Sequence, residues 1–401
     1  MAALSRTSIK VTSRSTRHCE EMKPTKQSIV CFAALAMTAA FSAASAETYE
    51  WGGHTKFRLV GQSYPDNSIF RDFAGSGSID AIGELRLNLS AKHERWAAHA
   101  DYQLIAINSE FLPMGLPNDD ARAFDATGII DESGDTAILH RLDRLWLGYT
   151  GDKTTVRIGR QALSWGNGLF FHPLDLVNPF DATAIDTEYK AGDDMLYVQY
   201  LLDNGNDVQG AAVFRRDPAS GDIESDQGTV ALKYHGLAGE NEYDILVAED
   251  HDDTVLGLGA TRSIGGAVWR GDVVITDSSD DTTVEVVTNL SYSWIWWEKN
   301  VSGAAEYYFD GDDGHFVAGS LMVEMSPLLT LSPTLVTRAD DPSALFQLVT
   351  RYSLSDNMTF LGSLNIPLGA DGTDFGGRAT PLPNRYLSID AGVFAQLAWY
   401  F

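Results

Sequence analysis

Residues 80–107 read DAIGELRLNLSAKHERWAAHADYQLIAI, and their alternation decides the class of fold. Ala81, Gly83, Leu85, Leu87, Leu89 and Ala91 fall on one face, with Glu84, Arg86, Asn88, Ser90 and Lys92 on the other. After His93-Glu94 the pattern resumes: Trp96, Ala98, Ala100, Tyr102 and Leu104 oppose Ala97, His99, Asp101 and Gln103. Side chains of a strand point alternately to its two faces, so each run is a strand with one apolar and one polar side. The two-residue break between the runs makes the pair a hairpin.

The same period of two returns at Val284-Val286-Thr288-Leu290-Tyr292-Trp294. It closes the chain in Leu387-Ile389-Ala391-Val393-Ala395-Leu397-Trp399-Phe401. Extended along the chain, the reading yields about eighteen strands, at 54–64, 80–92, 95–107, 139–150, 154–162, 194–202, 207–216, 228–236, 242–250, 254–262, 267–276, 282–296, 301–310, 315–325, 328–338, 344–354, 358–367 and 386–401. Every second connection is tight, as at His93-Glu94, Gly151 to Lys153 and Ser326-Pro327, while 108–138 and 163–193 are long. A soluble all-β protein would need its second apolar face covered, and no helical layer is left to cover it. The pattern predicts a single-chain antiparallel transmembrane β-barrel of about eighteen strands, with short periplasmic turns and long extracellular loops. Closure leaves no strand edge unpaired in lipid. A solenoid is the structural rival, but no fixed repeat is present.

Composition agrees. The 401 residues are 44% hydrophobic and 21% charged, with 29 Lys+Arg against 55 Asp+Glu and a net charge of -26. Such acidity speaks against a nucleic-acid partner. The longest apolar stretch, Ile29 to Phe41, follows Lys23 and Lys26 and precedes Ala44-Ser45-Ala46. That order predicts a secretory signal peptide over residues 1–46, with Met22 an alternative start, and a barrel over 47–401. Both cysteines, Cys19 and Cys31, leave with it, so no disulfide framework is expected. Aromatic residues sit near strand ends on the apolar face (Trp51, Trp96, Tyr149, Tyr234, Tyr243, Trp294, Trp296, Trp297, Tyr307, Phe309, Tyr352, Trp399), as interfacial girdles would require.

The chain ends in Leu397-Ala398-Trp399-Tyr400-Phe401, which resembles the C-terminal signal by which bacterial outer-membrane barrels are recognised for assembly. Arg157-Ile158-Gly159-Arg160-Gln161-Ala162-Leu163-Ser164-Trp165-Gly166 resembles the "GRQ…WG" stretch of the alginate-export-like porins, and Asn178-Pro179-Phe180-Asp181 fits it as well. These stretches cover about a tenth of the chain. The resemblance implies a monomeric outer-membrane channel of similar strand count passing small or oligomeric solutes. It does not imply alginate.

The polar faces are expected to line a lumen. They carry Lys56, Arg58, Arg86, Lys92, Arg144, Arg157, Arg215, Lys233, Arg270, Arg338 and Arg351 against the fewer acids Glu84, Asp101, Asp244, Glu285, Glu306, Glu324 and Asp390, a mixed but mildly cationic balance that biases a pore toward anions. The rival reading pairs these charges across the lumen to hold its shape. In strand 139–150 the alternation places Arg141 and Asp143 on the apolar side. Loop 163–193 holds Trp165, Phe170, Phe171 and His172, too apolar to stand in water, and is expected either to fold into or across the pore as a constriction or to pack against neighbouring loops at the mouth. Loop 108–138, with Phe111, Leu112, Met114 and Phe124, is an alternative.

Acid pairs in the loops, such as Asp119-Asp120, Asp312-Asp313 and Asp340-Asp341, could take divalent cations and tie the protein to lipopolysaccharide, although a solvated rim or adaptation to salty surroundings is the plainer and favoured reading. No hydrolase, metalloprotease or nucleotide motif is present, no cofactor is implied, and an enzyme is not expected. The expected function is passive passage of small hydrophilic, anionic solutes through the outer membrane, with lipid, lipopolysaccharide and the solute as partners. The alternatives are an exporter of a polymer or lipid working with periplasmic proteins, or a closed structural or surface-binding barrel.

Overall fold

A computed structural model describes residues 48–401. The predicted signal peptide lies outside these residues. Eighteen antiparallel strands run up and down in chain order, each paired with its neighbours in sequence. The first strand, Thr48–Ser63, pairs with Gly77–His93 on one side and with the last, Ala391–Tyr400, on the other, which closes the barrel. No peptide edge is therefore left for lipid to solvate.

Burial is inverted relative to a soluble protein. Leu87, Leu89, Val247, Leu256, Leu258 and Leu397 are exposed on the outside, whereas Lys56, Arg86, Asp101, Asp272 and Glu306 are buried within. Polar side chains can be buried here because loops and cross-lumen partners satisfy them, while the apolar faces meet hydrocarbon. The aromatic residues named above lie on the outer face. Most cluster at the tight-turn end, where Trp96 meets Tyr149 edge-on at 5.1 Å and Trp399 lies 5.4 Å from Phe401. Tyr307 and Phe309 stand at the opposite end of Lys299–Asp310.

Three expectations are corrected. Strand Thr136–Thr150 carries a β-bulge: Asp101 faces Arg144 while the next residue, Tyr102, faces Leu142, so Asp143 is an extra residue. A bulge shifts the alternation by one. Arg141 and Asp143 thus turn inward before it, and Arg144 does so after it. Second, the connection 108–138 is not all loop, since Thr127–Ser133 forms a short strand against the outer part of Thr136–Thr150. Third, the last barrel strand starts at Ala391, not at 386. Tyr386–Leu387 pairs with Arg378–Ala379 in a separate ribbon, and Ile69 donates its N–H to the Tyr386 carbonyl 2.9 Å away. The continued alternation of Leu387 and Ile389 hid this break.

Candidate functional site

The loop between Thr154–Gln161 and Asp193–Leu201 lies inside the barrel. Its course begins with glycine. Gly159 has φ +117, and a Cβ there would sit 2.2 Å from the Leu145 carbonyl oxygen. At the other base, a Cβ on Gly192 would meet the Asp143 carbonyl oxygen at 2.5 Å. Only a residue without a side chain lets the backbone pass this close to the wall. Arg160 then locks the base. Its guanidinium binds Asp119 at 2.7 Å and Asp194 at 2.9 Å, both buried, and also donates to the carbonyls of Leu142 and Phe124. The connection 109–126 is thereby tied to the same corner.

From there the chain runs along the inner wall. Trp165 donates its indole N–H to Gln209 at 2.8 Å and packs with Leu174, Tyr197, Leu246 and Val274 in an apolar cluster. Asp272 accepts the backbone N–H and the side-chain amide of Asn167, each at 2.7 Å. Glu306 accepts three consecutive backbone N–H groups, from Leu169 (2.6 Å), Phe170 (3.0 Å) and Phe171 (2.8 Å), and an N–H from Asn289 at 3.1 Å. The Phe171 ring stacks on Tyr308 at 4.5 Å. Each wall acid replaces water for backbone donors that no helix or sheet satisfies.

The chain next doubles back. Leu174 is fully buried, and Val177 packs on Met195 and Val213 beside the loop base. By Thr183, whose carbonyl accepts from Gln347 at 3.0 Å, it has reached the strand Ser343–Ser355. Val213 and Gln347 lie nine strands apart in a ring of eighteen, so residues 178–182 cross the lumen. On the far wall Asp186 binds Lys56 (2.7 Å) and Arg58 (3.4 Å), and Glu188 binds Lys56 (2.8 Å) and the Tyr400 hydroxyl (2.9 Å). Tyr189 covers the Arg86 guanidinium at 4.0 Å. Lys190 closes the circuit: it binds Asp175 and the Leu163 carbonyl, each at 2.5 Å, and its own carbonyl accepts from Arg144. Burial pushes the Asp175 carboxyl up and the Lys190 amine down, against their mutual attraction. Burial also pushes Asp186 up, but the hydrogen bond and charge of Lys56, helped by Arg58, outweigh it and hold Asp186 below the ordinary carboxylate range.

Between this strap and the wall lies a cavity of about 250 Å³, lined by Lys56, Arg58, Glu84, Arg86, Gln103, Arg141, Asp143, Asp186 and Tyr189. Its charges are mixed. Glu84 and Asp143 line it as well, buried and paired with cations: Glu84 with Arg58 (2.9 Å) and His54 (3.1 Å), Asp143 through one oxygen with Arg86 (2.7 Å) and Arg144 (3.0 Å), its other oxygen having no hydrogen-bond partner and lying 3.7 Å from Arg141. The Arg58 and Arg141 side chains keep 21% exposure each. The surface facing the cavity is thus donor-rich.

The predicted residues divide into groups. Lys56, Arg58, Glu84, Arg86, Asp101 and Arg144 converge on this cavity or the acids behind it. Asp101 bonds Arg86 (2.7 Å) and His99 (2.8 Å). Arg157 faces inward between the rings of Trp146 (5.7 Å) and Tyr197 (4.9 Å). Lys233 binds Asp244 at 3.2 Å and lies over Trp165. Arg270 donates to Ser291 at 3.2 Å, and Glu285 accepts from the Tyr308 hydroxyl. Arg351 is exposed on the inner face near the tight-turn end. Arg215 falls beyond its strand, which ends at Val213, and is buried against Asp193 at 3.0 Å. Glu306 holds the loop. Trp165 and Phe171 are wall anchors, and Phe170 and His172 are half-buried beside them.

Arg141, Asp143, Arg160, Asp272, Asp186 and Glu188 were not among the predicted site residues. Arg160 stood within the quoted motif and Asp272 within the alternation, but nothing local marked Asp186 or Glu188. Among the described residues no group of three or more His, Asp or Glu is arranged to hold a metal ion. The acid pair Asp119-Asp120 is divided, because Asp119 is spent on Arg160 and Arg122.

No protein-family profile matches the chain, and no curated protein matches it. Solved structures do. OccK5 (OpdH) of Pseudomonas aeruginosa aligns with TM-score 0.56 at 10% identity over 89% of this chain and 98% of its own. OccAB1 of Acinetobacter baumannii gives 0.55 at 8% identity, over 89% and 97%. The BenF-like porin of Pseudomonas fluorescens Pf-5 gives 0.52 at 7% identity, over 89% and 99%. At these identities the likeness is one of architecture: this chain has the eighteen-strand barrel fold of outer-membrane porins.

Proposed function

We propose that the protein is a porin-like channel of the bacterial outer membrane that passes small hydrophilic, anionic solutes by diffusion. The observation that carries this reading is the charge arrangement of the constriction. Arg58 and Arg141 are the partly exposed cations of the cavity, while Glu84 and Asp143 are paired with Arg58 and Arg86. A carboxylate would meet guanidinium N–H groups there, whereas a cation would have to compete with Lys56, Arg58, Arg86 and Arg141 for the three carboxylates of the lining. The resemblance of Arg157–Gly166 to the alginate-export-like porins supports the same reading, since that stretch forms the base on which the constriction loop turns inward. The exposed acids at the loop end, Asp312, Asp313 and Asp340, fit a cation-bridged contact with lipopolysaccharide.

The test is single-channel conductance of refolded protein in a planar bilayer under a salt gradient. Steady conductance with an anion-selective reversal potential is expected, and the double variant R58A/R141A shifts that potential toward cations. Absence of conductance from heat-modifiable, folded protein would replace the channel with a closed barrel. An unaltered reversal potential in the double variant would remove these arginines from selectivity.

A further inference from the structure

The lumen loop has two halves built in different ways. Residues 163–177 are fastened by burial: Trp165, Leu174 and Val177 are in the apolar clusters, and Asp272 and Glu306 take up the backbone donors. Residues 178–189 contain no buried side chain at all. This strap is pinned at its ends, by Val177 and by the Lys190–Asp175 pair, and begins at Asn178 in the left-handed region with φ +49. In between, its hold on the far wall is polar: Gln347 on the Thr183 carbonyl, Asp186 on Lys56 and Arg58, Glu188 on Lys56 and Tyr400, and the Tyr189 ring over Arg86.

Burial of apolar surface cannot be replaced by a hydrophilic solute, but an ion pair can, because the solute brings the same charge. Lys56 is only 1% exposed, and what covers it is a pair of carboxylates from the strap. A permanent plug would be expected to bury apolar side chains here, as the first half does. Instead the strap offers the wall two copies of the chemical group that the constriction's cations select.

We propose that Asp186 and Glu188 act as an internal ligand: they occupy the Lys56–Arg58 site in the resting barrel, and an anionic solute bearing carboxylates opens the lumen by displacing them. This rests on the porin-like reading above and adds regulation to it. Lys56 is accessible only when the strap has left, so a carboxylate that pairs with Lys56 as well as Arg58 binds the open arrangement more tightly than the closed one. Such differential binding is what a ligand needs to shift a conformational equilibrium.

The experiment records single-channel dwell times of the full protein in chloride, before and after millimolar succinate, for the natural chain and for the double variant D186N/E188Q. The natural chain is expected to favour a low-conductance level in chloride and a high one with succinate. The variant is expected to favour the high level in chloride already, with an open-to-closed ratio raised about fivefold, equivalent to about 1 kcal/mol, and to ignore succinate. A folded variant with natural dwell times and a natural succinate response would overturn the proposal while leaving the channel intact. Silence of both folded proteins would overturn the channel reading and the proposal with it. Should the double variant fail to fold, E188Q alone, at a side chain 34% exposed, must shift the ratio in the same direction, and an unchanged ratio there refutes the gate.

Discussion

Replacing Glu306 with alanine should free the first half of the lumen loop without unfolding the barrel. Glu306 is 2% exposed and accepts four hydrogen bonds, three from the consecutive N–H groups of residues 169–171 and one from Asn289. Hydrogen bonds to a charged group contribute about 1.5–3 kcal/mol each. The three loop bonds therefore set a ceiling of roughly 5–9 kcal/mol on what the loop loses, before water reaches the freed donors. Water that enters the lumen will satisfy part of this, so a loss of about 3 kcal/mol is the working figure. Strand pairing on both sides of Lys299–Asp310 does not involve the side chain and should persist.

The assay is limited chymotrypsin digestion of the folded barrel in detergent, scoring cleavage near Phe170 and Phe171. When cleavage follows the population of the opened loop, 3 kcal/mol raises its rate about 150-fold. Heat-modifiability on gels reports that the barrel itself is intact. A folded E306A protein that is cut no faster than the natural chain would refute the view that this carboxylate holds the loop to the wall.

Other perturbations test other links. Arg160→Met leaves the buried carboxylates of Asp119 and Asp194 without their shared cation. Removing one partner of a buried pair costs about 3–5 kcal/mol, so the temperature at which the folded gel form is lost should fall, and an unmoved midpoint would argue against the cross-tie. The strap should also respond to acid. Asp186 is held below its ordinary value of 3.8, so its contact with Lys56 and Arg58 is complete above that value and is lost as pH falls through the lower one in the folded protein. Glu188 shares Lys56, and Glu84 faces the same Arg58. Conductance in chloride is therefore expected to stay level down to about pH 3.8 and to rise as pH falls below it in the natural chain, with a smaller rise in D186N, where only Glu188 still holds Lys56, and a fall with acid would contradict the assignment.

Period-two alternation located all eighteen strands, because a barrel wall imposes the same local rule on every strand: one side to lipid, one side to the interior. That rule needs no partner to be legible. It misled where the chain departed from the rule. At Asp143 one inserted residue reversed the face of Arg141, and at Leu387–Ile389 alternation continued through a segment that pairs outside the barrel. The site was less legible for a related reason. Arg58, Glu84 and Arg86 stood out because strands repeat, whereas Asp186, Glu188 and Tyr189 lie in a stretch with no period at all.

By itself, then, the sequence determined an all-β chain of alternating strands with an acidic loop rim and two long connections of unequal character. Only the tertiary structure decided what the charges do. Whether Lys56 lines a free lumen or holds a carboxylate depends on a residue 130 positions away in sequence, brought near because the loop that follows Gln161 enters the barrel and crosses it. Ion pairs are set by separation in space and by loss of water, and neither is written in the spacing of residues along a strand.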